Sequence, residues 1–247
     1  MGAEIHVGCS GYYYDHWIGS FYPEGTKPGG FFDVYRERFT TVELNTTFYH
    51  FPREAQVDSW ARKSGEGFVF SVKAPRLITH AKKLRDCRES LLLFLHLIKP
   101  LKESGKLGAI LFQTPPSFAF DLEVLSEFVA LLPQGYRYAF EFRDQSWRRE
   151  EVAAALAGKE ADFACVSERD TVPFDECIAP FKYFRMHGLG ERYASNYSER
   201  DLENLAKKVL RAWEGGKREV FVYFNNDYGG YAPANAARLR ELVSGGA

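Results

Sequence analysis

Apolar residues along this chain fall into eight short runs rich in Val, Ile, Phe and Tyr, with segments of helical period between them. The runs cover about Ile5 to Cys9, Thr41 to Asn45, Phe68 to Lys73, Gly108 to Gln113, Arg137 to Arg143, Asp162 to Ser167, Lys182 to His187 and Glu219 to Asn225. Their length and β-branched or aromatic content predict strands. Helices are predicted over Phe31 to Phe39, Glu54 to Ser64, Arg88 to Ser104, Leu122 to Leu132, Glu150 to Ala157, Glu199 to Glu214 and Ala234 to Val243. Asp121 stands where it can cap LEVLSEF, and Ser198 with Asp201 makes a variant capping box. Strand–helix alternation predicts a parallel sheet. Eight such units without a composition break predict one α/β domain over residues 1–247, a single (β/α)8 barrel of the TIM type. The sixth unit is expected to be irregular. Between Ser167 and Lys182 lies ERDTVPFDECIAPF, with two prolines and little helical periodicity.

Five of the runs end in charged or amide residues spaced two apart: VELNTTFY, FSVKAP, FEFRDQSW, FRMHGLG and VYFNNDYGG. Residues two apart in a strand point to one face. Glu43 and Asn45 are therefore expected to share a face, as are Ser71 and Lys73, Glu141 and Arg143, Arg185 and His187, and Tyr223 and Asn225. Parallel α/β enzymes keep their chemistry at the C-terminal ends of strands, so the pattern predicts a site there. A structural reading stands beside it. Charged residues inside a buried strand must be paired, and Glu43 or Glu141 with Lys73, Arg143 or Arg185 would form an ion-pair layer.

Composition narrows the picture. Hydrophobic residues make up 45% of the chain, which indicates a globular protein. The net charge of −1 argues against a strong overall attraction to nucleic acid or anionic membrane. The four cysteines, Cys9, Cys87, Cys165 and Cys177, are widely spaced, and the N-terminal MGAEIHVGCSG does not read as a secretory signal. Reduced thiols and a cytoplasmic location are expected. The longest apolar run, Leu91 to Ile98, is too short to span a membrane.

Within the strand-end set, His187 is the candidate proton carrier, because its ordinary pKa suits transfer near neutrality and Gly188 follows it. Arg185 and Arg143 offer planar forks to a carboxylate or phosphate, and Lys73 a point charge. Glu43 and Glu141 are candidate catalytic carboxylates. Asn45, Gln113, Asn225 and Asn226 are candidate orienting groups, with Tyr223 and His80 as further binding residues and Asp227 as another carboxylate at the mouth. Aromatic residues make up 16% of the chain. Many fall in predicted loops, among them Tyr12, Tyr13, Tyr14, Trp17, Phe21 and Tyr22, then Tyr49, Trp147, Tyr193 and Tyr228. Such rings either stack on a substrate or pack the barrel top, and Tyr12, Tyr49 and Trp147 are the candidate substrate-binding rings. No HxH, HxxxH or HExxH is present, so no metal is expected, and no cofactor is called for.

These stretches resemble the YecE-like family, catalogued as domain-of-unknown-function family seventy-two. GCSGY with Trp17 and FYP, VELNTTFYHFP, FSVKAPRLITH, LFQTPPSF, FEFRDQSW, FRMHG and FNNDYGGYAPANA fit its pattern in order. The resemblance implies a TIM-type barrel and carries no established activity.

Three functions remain open from the residues. The first is a hydrolase-type enzyme acting on a phosphate-containing substrate, a nucleotide or a nucleic-acid end, at the strand C-terminal mouth. In it Arg143, Arg185 and Lys73 hold the anion, His187 moves the proton and Glu141 or Glu43 orients it or activates water. The second is a carbohydrate enzyme using Glu43 and Glu141 as paired carboxylates. The third is a non-catalytic binder of nucleic acid or a small ligand.

Overall fold

The computed structural model describes residues 4–167, 179–190, 193–215 and 219–245. Eight parallel strands close into a barrel in sequence order. They are β1 (Glu4–Ser10), β2 (Thr41–Leu44), β3 (Val69–Lys73), β4 (Leu107–Gln113), β5 (Arg137–Glu141), β6 (Ala161–Ser167), β7 (Phe181–Met186) and β8 (Glu219–Phe224). The helices are α1 (Phe31–Arg38), α2 (Thr46–Tyr49), α3 (Glu54–Lys63), α4 (Arg88–Leu97), α5 (Lys99–Glu103), α6 (Leu122–Leu131), α7 (Glu150–Leu156), α8 (Glu199–Glu214) and α9 (Tyr231–Ser244). The (β/α)8 architecture is the one the alternation predicts. The irregular sixth connection and Cys177 fall largely or wholly in residues 168–178, outside the described residues. Among the described residues, no helix is long and apolar enough to cross a membrane.

Contacts group the chain into two compact units. One holds the described residues of Met1–Glu43, Cys165–Pro173 and Pro180–Ala247, and the other those of Leu44–Ala164 and Phe174–Ala179. In the first unit, β8 lies between β1 and β7, with Val7 opposite Val222 and Arg185 opposite Tyr223. Gly8 sits where β1 approaches β2. A Cβ there would stand 2.3 Å from the Thr41 carbonyl oxygen. The Tyr35 hydroxyl bridges the same strands, accepting from the Cys9 amide and donating to the Thr41 carbonyl, each at 2.9 Å. In the second unit, β4 pairs with β5 from Ala109–Arg137 to Gln113–Glu141. Beside it, β3 pairs with β4, with a register shift between Phe70 and Val72.

Local chemistry explains the element ends. The Ser198 side chain and Asp201 form the reciprocal capping box at the start of α8, whose Leu202, Leu205, Ala206 and Val209 are buried at helical spacing. Asp121 caps α6 by accepting from the Val124 amide at 3.1 Å. The single helix expected over Arg88 to Ser104 is two, α4 and α5. Pro100 has no N–H and its ring clashes with the preceding turn, so the first helix stops at Leu97. The last helix starts at Tyr231, three residues before the expected start. Pro233 fits its first turn, where the N–H needs no partner in the helix.

Candidate functional site

The first unit gathers a polar cluster at the ends of β1, β2 and β7. Arg185 donates to Glu43 through Nε (2.9 Å) and Nη2 (2.7 Å), a fork-on-carboxylate contact with both residues at most 1% exposed. Tyr183 also donates to Glu43, at 2.7 Å, and the Ser10 hydroxyl donates to its other oxygen. Burial pushes the Glu43 carboxyl up. The Arg185 charge and the hydrogen bonds from Arg185, Ser10 and Tyr183 outweigh it, and the pKa ends below its ordinary value.

His187 follows β7 and is fully buried. Its Nε2 lies 3.4 Å from Arg185 Nη1, and its Nδ1 lies 3.2 Å from the Asn225 amide. A guanidinium only donates, so Nε2 is the acceptor in the contact with Arg185. Gly188, at φ 96°, takes a conformation that favours glycine and donates its amide to the Tyr197 hydroxyl at 2.8 Å. Tyr193 sits at φ 67°, uncommon for a residue with a side chain, and lays its ring edge-on to His187 at 5.2 Å.

The second unit places different chemistry at the ends of β3 and β5. Lys73 is half-buried, with its ammonium 4.1 Å from the centre of the Phe48 ring. His80, in a π-helical turn over Leu77–Ala81, meets the same ring edge-on at 4.9 Å and contacts the Thr79 hydroxyl through Nδ1 at 2.9 Å. Its pKa is lowered to about 4, first by burial and then by the charges of Lys73, Arg76 and Arg143. Arg143 lies two residues past Glu141 and forms an ion pair with it through Nε. Three cations therefore act on one imidazole, and among the described residues Glu141 pairs with Arg143.

Several sequence expectations need correction. Asn45 does not continue β2. Its backbone is helical (φ −93°, ψ −18°), and its carbonyl accepts from Phe48 as α2 begins. Trp147 offers no open face. It is 1% exposed, stacks on Phe142 at 4.3 Å and donates to the Phe118 carbonyl at 2.6 Å. Tyr223 is fully buried, with its hydroxyl 2.7 Å from that of Thr41. Asn226 is also fully buried, donating to the Ser195 carbonyl (3.1 Å) and to Asn235 (2.8 Å), a tether between loop and α9. Arg185 turns inward to Glu43 rather than outward to an anion.

The remaining candidates are distributed as follows. Gln113 is buried and donates to the Thr114 carbonyl at 2.8 Å. Tyr12 is half-buried against Phe32 and Tyr35, whereas Tyr49 is 70% exposed. Trp17, Phe21 and Tyr22 pack inside. Asp227 anchors their loop, accepting from Trp17 Nε1 at 2.5 Å and lying 3.1 Å from His16 Nε2. Sequence reasoning missed Ser10, Tyr183 and Arg76. Among the described residues, no three His, Cys, Asp or Glu side chains gather as a metal site, and Cys9, Cys87 and Cys165 are buried.

The comparisons agree with this architecture. The 28% identical UPF0759 protein YunF of Bacillus subtilis is aligned over 97% of this chain and 94% of its own length. The UPF0759 protein YecE of Escherichia coli is 33% identical over 45% of this chain and 40% of its own. A crystal structure of a DUF72 family protein from Thermotoga maritima superposes with a TM-score of 0.88. It is 33% identical and covers 98% of this chain and 99% of that one. The family model described as "Protein of unknown function DUF72" matches residues 6–246, and the chain belongs to that family.

Proposed function

We propose that the protein is a hydrolase-type enzyme whose substrate carries a phosphate, bound at the ends of β3 and β5. The observation that supports this is the lowered pKa of His80, to which the positive charges of Lys73, Arg76 and Arg143 contribute after burial. Lys73, Arg76 and Arg143 all act on that ring, and Glu141 pairs with Arg143. A guanidinium has five N–H donors, so an edge held by a carboxylate does not exhaust it. Glu141 then orients Arg143, while Lys73 and Arg76 supply positive charge to the phosphoryl oxygens and to the leaving oxygen, where negative charge develops as its bond to phosphorus breaks.

His80 is neutral at pH 7 in this field. A phosphate beside it offsets the cations and raises its pKa toward the range where an imidazole can protonate a leaving group. His187 is the candidate proton carrier of the other unit, and Glu43 a positioning residue there. The paired-carboxylate reading draws no support from the geometry, because each glutamate is the partner of an arginine.

The test is a turnover and binding panel of phosphomonoesters, nucleotides and end-phosphorylated oligonucleotides. Wild type is compared with Lys73→Met, Arg143→Met, His80→Gln and His187→Gln. Phosphate release that falls with Lys73→Met and His80→Gln is the expected result. Binding without turnover would make the protein a binder, and turnover indifferent to Lys73 and Arg143 would overturn the assignment.

A further inference from the structure

The connection from β2 to α3 encloses a cleft of about 250 Å³. Its walls are Thr46, His50, Phe51, Pro52, Arg53 and Gln56. Thr47, a buried residue, also lines it, and its hydroxyl donates to the Lys73 carbonyl at 2.7 Å, fixing α2 to the end of β3. One short helix thus faces two polar regions. Phe48 packs with Lys73 and His80, while Thr46, Thr47 and His50 line the cleft.

The lining has an unusual balance. Among the described residues, the side chains of Thr46, His50, Arg53 and Gln56 make no hydrogen bond or ion pair, although together they offer a hydroxyl, an imidazole, a guanidinium and an amide. Among the described residues, no carboxylate lines the cleft. Glu54, the next residue, lies 3.9 Å from His96 Nε2. A concave surface with one permanent positive charge, several uncommitted donors and no acid favours an anion. Phe51 and Pro52 add an apolar wall. The volume is below the usual range for drug-sized ligands and, at about 30 Å³ per water, corresponds to about eight water-sized groups.

We infer that this cleft binds a small organic anion, a carboxylate or phosphate monoester on a short apolar or single-ring body. Arg53 takes the anionic oxygens in a fork, His50 and Gln56 add hydrogen bonds, and the body rests on Phe51 and Pro52. This site is separate from the one proposed for Lys73 and His80, and either can fail alone.

The test is a titration with benzoate, phenyl phosphate, inorganic phosphate and neutral benzyl alcohol, read through the imidazole NMR signals. His50 and His80 report the two sites in one spectrum, and His50→Gln and His80→Gln assign their signals. The expected result is saturable movement of the His50 signal with benzoate or phenyl phosphate and not with benzyl alcohol. Arg53→Gln weakens it by about tenfold or more, a loss of about 1.4 kcal/mol. Arg53 is exposed, so the substitution leaves the fold intact, and an unchanged His80 response confirms that. Benzoate alone active would assign carboxylates, and phenyl phosphate alone, phosphate esters. No saturable His50 movement at millimolar ligand, or equal affinity in Arg53→Gln, overturns the proposal. His80 responding to phosphate while His50 stays still would leave the catalytic proposal standing and remove this one.

Discussion

The two units treat charge in opposite ways. In the first, the Glu43 carboxylate is matched by the Arg185 fork, and Ser10 and Tyr183 complete its hydrogen bonds. In the second, Lys73, Arg76 and Arg143 act together on His80, and Glu141 is the carboxylate paired with Arg143. A matched charge buried in a barrel serves the barrel, because removing either partner strands the other in a poor solvent. Three cations acting on one half-buried ring favour its neutral form. The pairing predicted for the strand ends is present in both units, as Glu43 with Arg185 in one and Glu141 with Arg143 in the other.

The largest expected effect tests the matched side. Glu43→Ala leaves the Arg185 guanidinium buried without its carboxylate and should cost about 3–5 kcal/mol in urea unfolding. Glu43→Gln keeps an acceptor and should cost less. A loss under about 1 kcal/mol for Glu43→Ala would erase the distinction between the units. Next comes Lys73→Met, which should weaken phosphate binding by about tenfold, about 1.4 kcal/mol, while stability moves by about 1 kcal/mol or less. Calorimetric titration and unfolding on the same variant separate these quantities.

Acidity sharpens the comparison further. The Glu43 pKa is depressed on folding, so its contribution is present above the ordinary value of 4.5 and is lost as pH falls through the folded value. Unfolding curves should show that loss in wild type and not in Glu43→Gln. His80 works in the other direction on ligands. Its pKa is about 4 without an anion and rises when one binds, so binding takes up protons between about 4 and its complexed value. Affinity for sulfate, whose charge stays constant in this range, should rise as pH falls toward 5, and His80→Gln should flatten the slope. The smallest effect is expected at Tyr49. Its ring is 70% exposed, and Tyr49→Ala should change stability by about 0.5 kcal/mol or less. Any larger loss of ligand affinity in that variant would place a substrate ring beside Phe48.

The barrel could be read because strand and helix periods differ, and because Asp121 and Ser198 announce helix starts in the side chains themselves. The pairs Glu43–Arg185 and Glu141–Arg143 were anticipated as an inner ion-pair layer, since buried charge demands a partner. Which partner was chosen depends on spacing across the barrel, which no local pattern contains. Ser10 and Tyr183 were missed for a related reason. A serine at a strand end and a tyrosine within FKYFRM look like ordinary β residues until the Glu43 carboxylate lies beside them. Trp147 was misread because its loop position is visible in the sequence and its burial against Phe142 is not. Arg76 follows VKAP outside the strand pattern, and the π-helical turn that brings His80 back beside Lys73 leaves no periodic trace.

Gly8 places a limit on what this barrel can become. With the Thr41 oxygen 2.3 Å from where a methyl group would begin, the smallest side chain forces β1 and β2 apart. Ser10 and Glu43, opposite each other two residues further along β1, would separate with them. A single hydrogen atom at position 8 thus governs the reach of a hydroxyl several ångströms away. Any redesign of the Glu43 cluster inherits that position as a fixed point, because a barrel that tolerated alanine there would have to be rebuilt around a wider seam.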